Sequence, residues 1–133
     1  MRRFTVLALV CFALSAVAQP PDPWTYGRDN NRWNRSWNSR PNPRRGACFY
    51  TTAPFGGNHF CVRSGDRLPA LPGDFGDNIS SIQTFGGARV RIFNDRNFSG
   101  GSTQINGSVP DLRSIPFRGG HTWNNRISSI VVN

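Results

Sequence analysis

YTTAPFGG at residues 50–57 and FNDRNFSG at residues 93–100 are one phrase written twice. Tyr50, Phe55 and Gly57 of the first recur, 43 residues on, as Phe93, Phe98 and Gly100 of the second. An aromatic, six residues and then glycine describe a strand turning into a folded hairpin. The first ring covers the turn, and the glycine supplies a backbone angle that a Cβ forbids. The repetition extends outward: LPAL (Leu68–Leu71) is echoed by VPDL (Val109–Leu112), and FGDNISSI (Phe75–Ile82) by WNNRISSI (Trp123–Ile130). That last offset is 48, so the second copy carries about five extra residues, placed around Ser114 to His121.

Around these landmarks, short β-rich runs alternate with Gly, Asn, Asp and Pro from Gly46 onward. They predict strands over Ala47–Thr51, His59–Arg63, Ile79–Thr84, Arg89–Phe93, Ser102–Ile105 and Ile127–Val132. Alternation is clearest in Arg89, Val90, Arg91 and Ile92, where the arginines face water and Val and Ile face a core. Six short strands and no helix-length periodic segment predict an all-β sandwich. Two four-strand units pairing face to face would bury Tyr50, Phe55, Phe60, Leu68, Leu71, Ile82, Val90, Ile92, Phe98, Ile105, Leu112, Ile127 and Ile130 between them. The serine run opening each closing strand offers hydroxyls to turn amides.

The rest of the chain divides by composition. Residues 1–18 read as a signal peptide: Arg2 and Arg3, then the apolar run FTVLALVCFAL, then a small-residue exit ending at Ala18. No other segment is long and apolar enough to span a bilayer, so the mature chain is expected to be secreted, extracellular or periplasmic. Residues 19–45 hold five of the ten prolines, six arginines against two aspartates, and no Ile, Leu, Val, Met or Phe. Such a stretch predicts a disordered tail that is dispensable for folding. Its Trp24, Tyr26, Trp33 and Trp37 interleave with Arg28, Arg32 and Arg35, which suits either a solvated spacer or contact with an anionic surface polymer. No nucleic-acid motif accompanies them. Residues 46–133 form the domain, with motif one over 46–86 and motif two over 87–133. Every basic residue is arginine and every acidic one aspartate, giving a formal charge of +9 that favours anionic surfaces. Cys48 and Cys61 are the cysteines left after the signal. In an exported chain they predict a disulfide, two buried free thiols being the other reading.

The doubled hairpin phrase with its later serines resembles the βγ-crystallins, and the resemblance covers essentially all of residues 46–133. It implies a βγ-crystallin-like sandwich of two Greek-key motifs. Microbial members carry a calcium signature, [N/D]-[N/D]-x-x-[S/T]-S. Asn124, Asn125, Arg126, Ile127, Ser128 and Ser129 match it throughout, whereas Gly76, Asp77, Asn78, Ile79, Ser80 and Ser81 depart at the first position. The resemblance implies calcium held by Asp77, Asn78 and Ser80 of one motif and by Asn125, Arg126 and Ser128 of the other, each site mixing ligands from both. The third position would act through its carbonyl. Calcium takes six to eight hard oxygens. Only Asp77 among these is a carboxylate, so weak affinity is expected. The alternative is that these turns merely cap strands with side-chain hydrogen bonds.

Catalysis finds little footing: His59 and His121 are 62 residues apart and there is no Glu for a carboxylate pair. Binding is therefore the expected mode, with no small-molecule substrate. The candidates are a calcium-binding module with a structural or surface role and a secreted peptidase inhibitor, since a family of bacterial metalloproteinase inhibitors resembles this fold. An inhibitor needs a protruding rigid loop; the one extra loop runs from Arg113 to Thr122 and shows no obvious bait residue.

Overall fold

The computed structural model describes residues 33–133; the expected signal peptide, residues 1–18, and residues 19–32 of the expected tail lie outside the described residues. β1 (Gly46–Thr52) and β2 (Gly56–Arg63) form the first hairpin, with Cys48 opposite Cys61 and Phe49 opposite Phe60. β4 (Ser81–Phe85) lies on the other side of β1, giving the sheet order β2-β1-β4. The second hairpin joins β5 (Val90–Phe93) to β6 (Ser102–Ile105), and β7 (Ser129–Val132) pairs with β5. The closing strands thus open at the last serine of each signature, two residues later than Ile79 and Ile127. The residues Ile79 and Ile127 are fully buried in the approach to them.

The motifs do not form separate sheets, as a simple face-to-face pairing of four-strand units would have it. β3 (Arg67–Leu68) leaves motif one and pairs with β7 in the second sheet, whose order is β3-β7-β5-β6. Motif two reciprocates: Ile82 and Val109 exchange backbone hydrogen bonds of 3.0 and 2.7 Å, placing Val109 on the first sheet beside β4. LPAL and VPDL are the two exchanged segments.

Val90 and Ile92 are buried and Arg89 and Arg91 exposed, as alternation requires. Between the sheets Phe49 stacks on Phe60 at 5.0 Å, and Phe60 meets Phe75 edge-on at 4.9 Å. Trp123, at the position in motif two that Phe75 holds in motif one, is equally buried. Phe55 and Phe98, expected in the core, are only half-buried. They sit on the hairpin tips, each edge-on to the opening aromatic of its phrase: Tyr50–Phe55 and Phe93–Phe98 are both 5.8 Å apart. Gly57 (φ 73°) and Gly100 (φ 77°) are left-handed, and a Cβ there would collide with Thr51 Oγ1 or Asn94 Oδ1.

Cys48 and Cys61 are disulfide-bonded across the β1–β2 pair, their Cα atoms 4.0 Å apart. The corresponding pair in motif two, Arg91 opposite Gln104, is exposed. The difference is what lies outside. Residues 33–45, expected to be disordered, strap the first sheet. Asn34 caps a short 3-10 turn over Arg35–Ser39 by accepting from the Ser36 N–H. Trp37 is 8% exposed. The Trp33 indole N–H donates to the His59 carbonyl (2.9 Å), and the His59 N–H donates to Asn38 Oδ1 (3.0 Å). β2 is the outer strand of its sheet, and the strap occupies backbone groups that an edge would otherwise leave bare. Aliphatic residues were the wrong criterion for order here, because an indole buries as much surface as any side chain and brings its own donor.

Candidate functional site

The two signature loops hold each other reciprocally through the backbone. Asp77 (φ 59°) and Asn125 (φ 58°) occupy the same left-handed conformation, which short polar side chains tolerate best. The Asp77 N–H donates to the Ile127 carbonyl (3.0 Å) and the Asn125 N–H to that of Ile79 (2.9 Å). The fifth-position serines are pinned alike: the Ser80 N–H donates to the Tyr50 carbonyl (2.8 Å) and the Ser128 N–H to that of Phe93 (2.9 Å).

This frame brings side chains together across the motifs. Ser128 Oγ donates to Asp77 Oδ1 at 3.1 Å, and Ser80 Oγ to Asn125 Oδ1 at 3.3 Å. Asp77 and Asn125 are exposed and Ser80 and Ser128 half-buried. The third-position side chains turn elsewhere: Asn78 Nδ2 donates to the Asp74 carbonyl, and the Arg126 guanidinium lies 5.4 Å from the Phe117 ring. The sixth-position serines have another task. Ser81 and Ser129 are fully buried. Ser81 Oγ donates to the Thr52 carbonyl (3.0 Å) and accepts from the Phe55 N–H (2.9 Å). Ser129 Oγ donates to that of Asp95 (2.6 Å) and accepts from the Phe98 N–H (3.1 Å). Strand capping thus falls on the sixth-position serines, while the fifth-position hydroxyls bond across the motifs.

The side-chain oxygens brought together are carboxylate with hydroxyl at one end and amide with hydroxyl at the other, all of the hard type that calcium takes. Their charge is low, and among the described residues no group of three or more His, Cys, Asp or Glu side chains gathers anywhere. Asn94 lines the same cleft as Asp77 and Asn124, and its Oδ1 is buried without a hydrogen-bond partner. These residues fit a weakly held calcium ion: Asp77 with Ser128 at one end, Asn125 with Ser80 at the other. At the latter end the sequence reading missed Asp74, Thr51, Asn58 and Trp33, which line the cleft there.

Away from these ends, His59 is half-buried rather than a solvated surface histidine. Its ring lies 4.9 Å from that of Tyr50, and burial lowers its pKa and raises that of the tyrosine. The inserted loop is itself a small hairpin. Pro116 bridges Thr122, and the Phe117 N–H donates to the His121 carbonyl (2.8 Å). Phe117 packs edge-on against Trp123 at 4.8 Å, while Arg118, Gly119, Gly120 and His121 are exposed at the tip. No helix among the described residues is long and apolar enough to cross a membrane.

Comparisons with known proteins bear on both the fold and the mode of action. The model of a family described as peptidase inhibitor family I36 matches residues 39–105. Among solved structures, an archaeal βγ-crystallin is 26% identical, with 67% of this chain and 98% of that one covered at a TM-score of 0.54. A βγ-crystallin domain from Flavobacterium johnsoniae is also 26% identical, covering 65% and 92% at 0.52. A βγ-crystallin domain of Abundant Perithecial Protein from Neurospora crassa, solved in its Ca2+-bound form, shares the fold at 19% identity, covering 70% and 93% at 0.54. No curated protein matches the sequence. The fold is therefore that of the βγ-crystallins.

Proposed function

The chain belongs to peptidase inhibitor family I36, and from that premise we propose that it is an exported binding protein whose crystallin-type body is stabilised by weakly held calcium at its two ends. The observation that carries this reading is the reciprocal pairing of Asp77 with Ser128 and Asn125 with Ser80. Asp77 and Asn125 would hold the ion through their side-chain oxygens, Ser80 and Ser128 through their hydroxyls, and Asn78 and Arg126 through their carbonyls. Calcium would supply a cross-link between the motifs and no chemistry. The test is calorimetric titration of calcium and magnesium into the mature chain alongside its thermal melt. Calcium should raise the midpoint, by roughly 1.4 kcal/mol of added stability at ten times Kd, and magnesium much less, because it holds its waters and demands a tight octahedron. A melt unmoved by millimolar calcium, with no heat above dilution, sinks the metal reading.

Peptidase inhibition is the second reading, favoured by the family and by the Pro116–Thr122 hairpin. Its backbone bonds and the Phe117–Trp123 contact tie down the base of the loop and leave residues 118–121 exposed at its tip, which supports this reading. An inhibition panel spanning metallo- and serine peptidases tests it, and absence of inhibition across the panel would exclude it. Contact with an anionic surface polymer through the Arg/Trp tail loses two of its rings, since Trp33 and Trp37 are docked on the domain. Trp24, Tyr26, Arg28 and Arg32 lie outside the described residues.

A further inference from the structure

We propose that the cleft at the motif-one end, walled by Trp33, is a binding site for an uncharged sugar ring. The cleft measures about 430 Å³, within the range of roughly 300–1,000 Å³ in which small-molecule sites are built. Its wall is an indole, and its polar lining is Thr51, Asn58, Asp74, Asn78, Ser80 and Asn125. A pyranose presents an apolar C–H face and a rim of hydroxyls that both donate and accept. An aromatic wall beside amides, hydroxyls and one carboxylate matches both demands. No arginine lines this cleft, although the chain carries sixteen basic residues, all of them arginine. The protein's own side chains therefore offer phosphate, sulfate and carboxylate ligands no countercharge there, and Asp74 repels them.

The wall is set before any ligand arrives. Trp33 gives its N–H to the His59 carbonyl and packs edge-on against Phe75 at 5.2 Å. A Cβ at Gly73 (φ 54°) would lie 3.4 Å from that of Trp33, so glycine lets the strap approach closely. Fixing a side chain in advance removes an ordering cost from binding. The molecule supplies its own control in the corresponding cleft of motif two, lined by Asp77, Asn94, Asn124, Asn125 and Arg126: it has no aromatic wall. The two ends differ through the strap, so the sugar site belongs to one end only.

Titration of the mature chain, residues 19–133, with the β-linked trisaccharides of N-acetylglucosamine and of glucose tests this, read by tryptophan fluorescence and calorimetry. Runs with calcium and with chelator separate it from the metal reading, because Ser80 and Asn125 serve both. Saturable binding at millimolar sugar is expected for at least one trisaccharide. Trp33→Ala should weaken it by roughly tenfold or more, and Trp33→Phe, which keeps a ring, by much less. Asp74→Arg, at an exposed position, should abolish binding with the melt unchanged and decides the matter where Trp33→Ala loosens the strap. Asn124→Arg, in the other cleft, should leave binding intact. Absence of saturable binding by both sugars in both calcium conditions, or binding that survives Asp74→Arg, overturns the proposal.

Discussion

Adjacent serines at the start of the closing strands should respond unequally to the same mutation. Ser129→Ala deletes a hydroxyl that is fully buried and makes two bonds, donating to the Asp95 carbonyl and accepting from the Phe98 N–H. Each bond contributes about 1 kcal/mol net, and a buried group left unpaired costs about 1–3 kcal/mol. Asp95 is exposed and Phe98 half-buried, so water can reach part of the stranded backbone and the lower figures apply. The expected loss is about 2 kcal/mol. At roughly 4–8 °C per kcal/mol for a domain of this size, the calcium-free midpoint should fall by roughly 8–16 °C. Ser128→Ala removes one bond at the loop surface, about 0.5 kcal/mol by the same scale, and should lower that midpoint by only a few degrees while reducing the shift that calcium produces. Differential scanning calorimetry of both variants, in chelator and in millimolar calcium, reads all four quantities. Equal calcium-free losses from the two variants would refute the division of labour between fifth and sixth positions. Ser81→Ala provides a replicate, since Ser81 repeats the bonding of Ser129 in motif one.

Three further outcomes follow from the first sheet. Replacing Cys48 and Cys61 together by Ala should cost about 3 kcal/mol in the chain-entropy model, and the intact mass of the exported wild type should be two hydrogens below its dithiol form; quantitative thiol labelling without reductant would contradict the bond. A chain starting at Arg45 should melt well below the mature protein, because it lacks Trp33 and the buried Trp37; Trp37→Ala alone should cost about 3 kcal/mol, and an unchanged melt in either case would show that the strap adds nothing. Burial holds the pKa of His59 below its usual 6.5, so the unfolded chain binds this proton more readily. The corresponding stability is present above about pH 6.5 and drains as pH falls through the lowered value. His59→Gln should flatten that part of the midpoint-versus-pH curve, and identical curves for the two proteins would remove His59 as its source.

The sequence made the two hairpins legible because their geometry depends on residues with few substitutes: an aromatic to cover the turn, a glycine at a left-handed position, a serine to lock it. The loops at the ends of the sandwich were legible from their repeated signature, but that Asp77 meets Ser128 and Asn125 meets Ser80 is a tertiary fact the sequence did not display. β3 was not legible, since two residues cannot display alternation. Its crossing to the other sheet is a tertiary matter, as is the reciprocal bridge at Val109. Phe49, Phe75, Ile79 and Trp123 escaped the expected core because three of them lie outside the regular strands and Phe49 neighbours the more conspicuous Tyr50. The strap was hidden by composition: Pro, Asn and Arg read as solvent-loving, yet Asn34 caps a turn and Asn38 holds a strand edge. What a signal of disorder lacked was any way to see that an edge strand was waiting for those amides.

The exchange of Arg67–Leu68 and Val109 between sheets has a consequence for survival among peptidases. Either motif alone would leave one sheet short of a strand and would expose the inner faces of Phe49, Phe60, Val90 and Ile92 to water. The link between the motifs passes through Gly86 and Gly87, both exposed. A single cut there leaves each half still woven into its neighbour's sheet, so the two fragments remain one particle until both sheets open together. A chain built this way can be nicked without being taken apart.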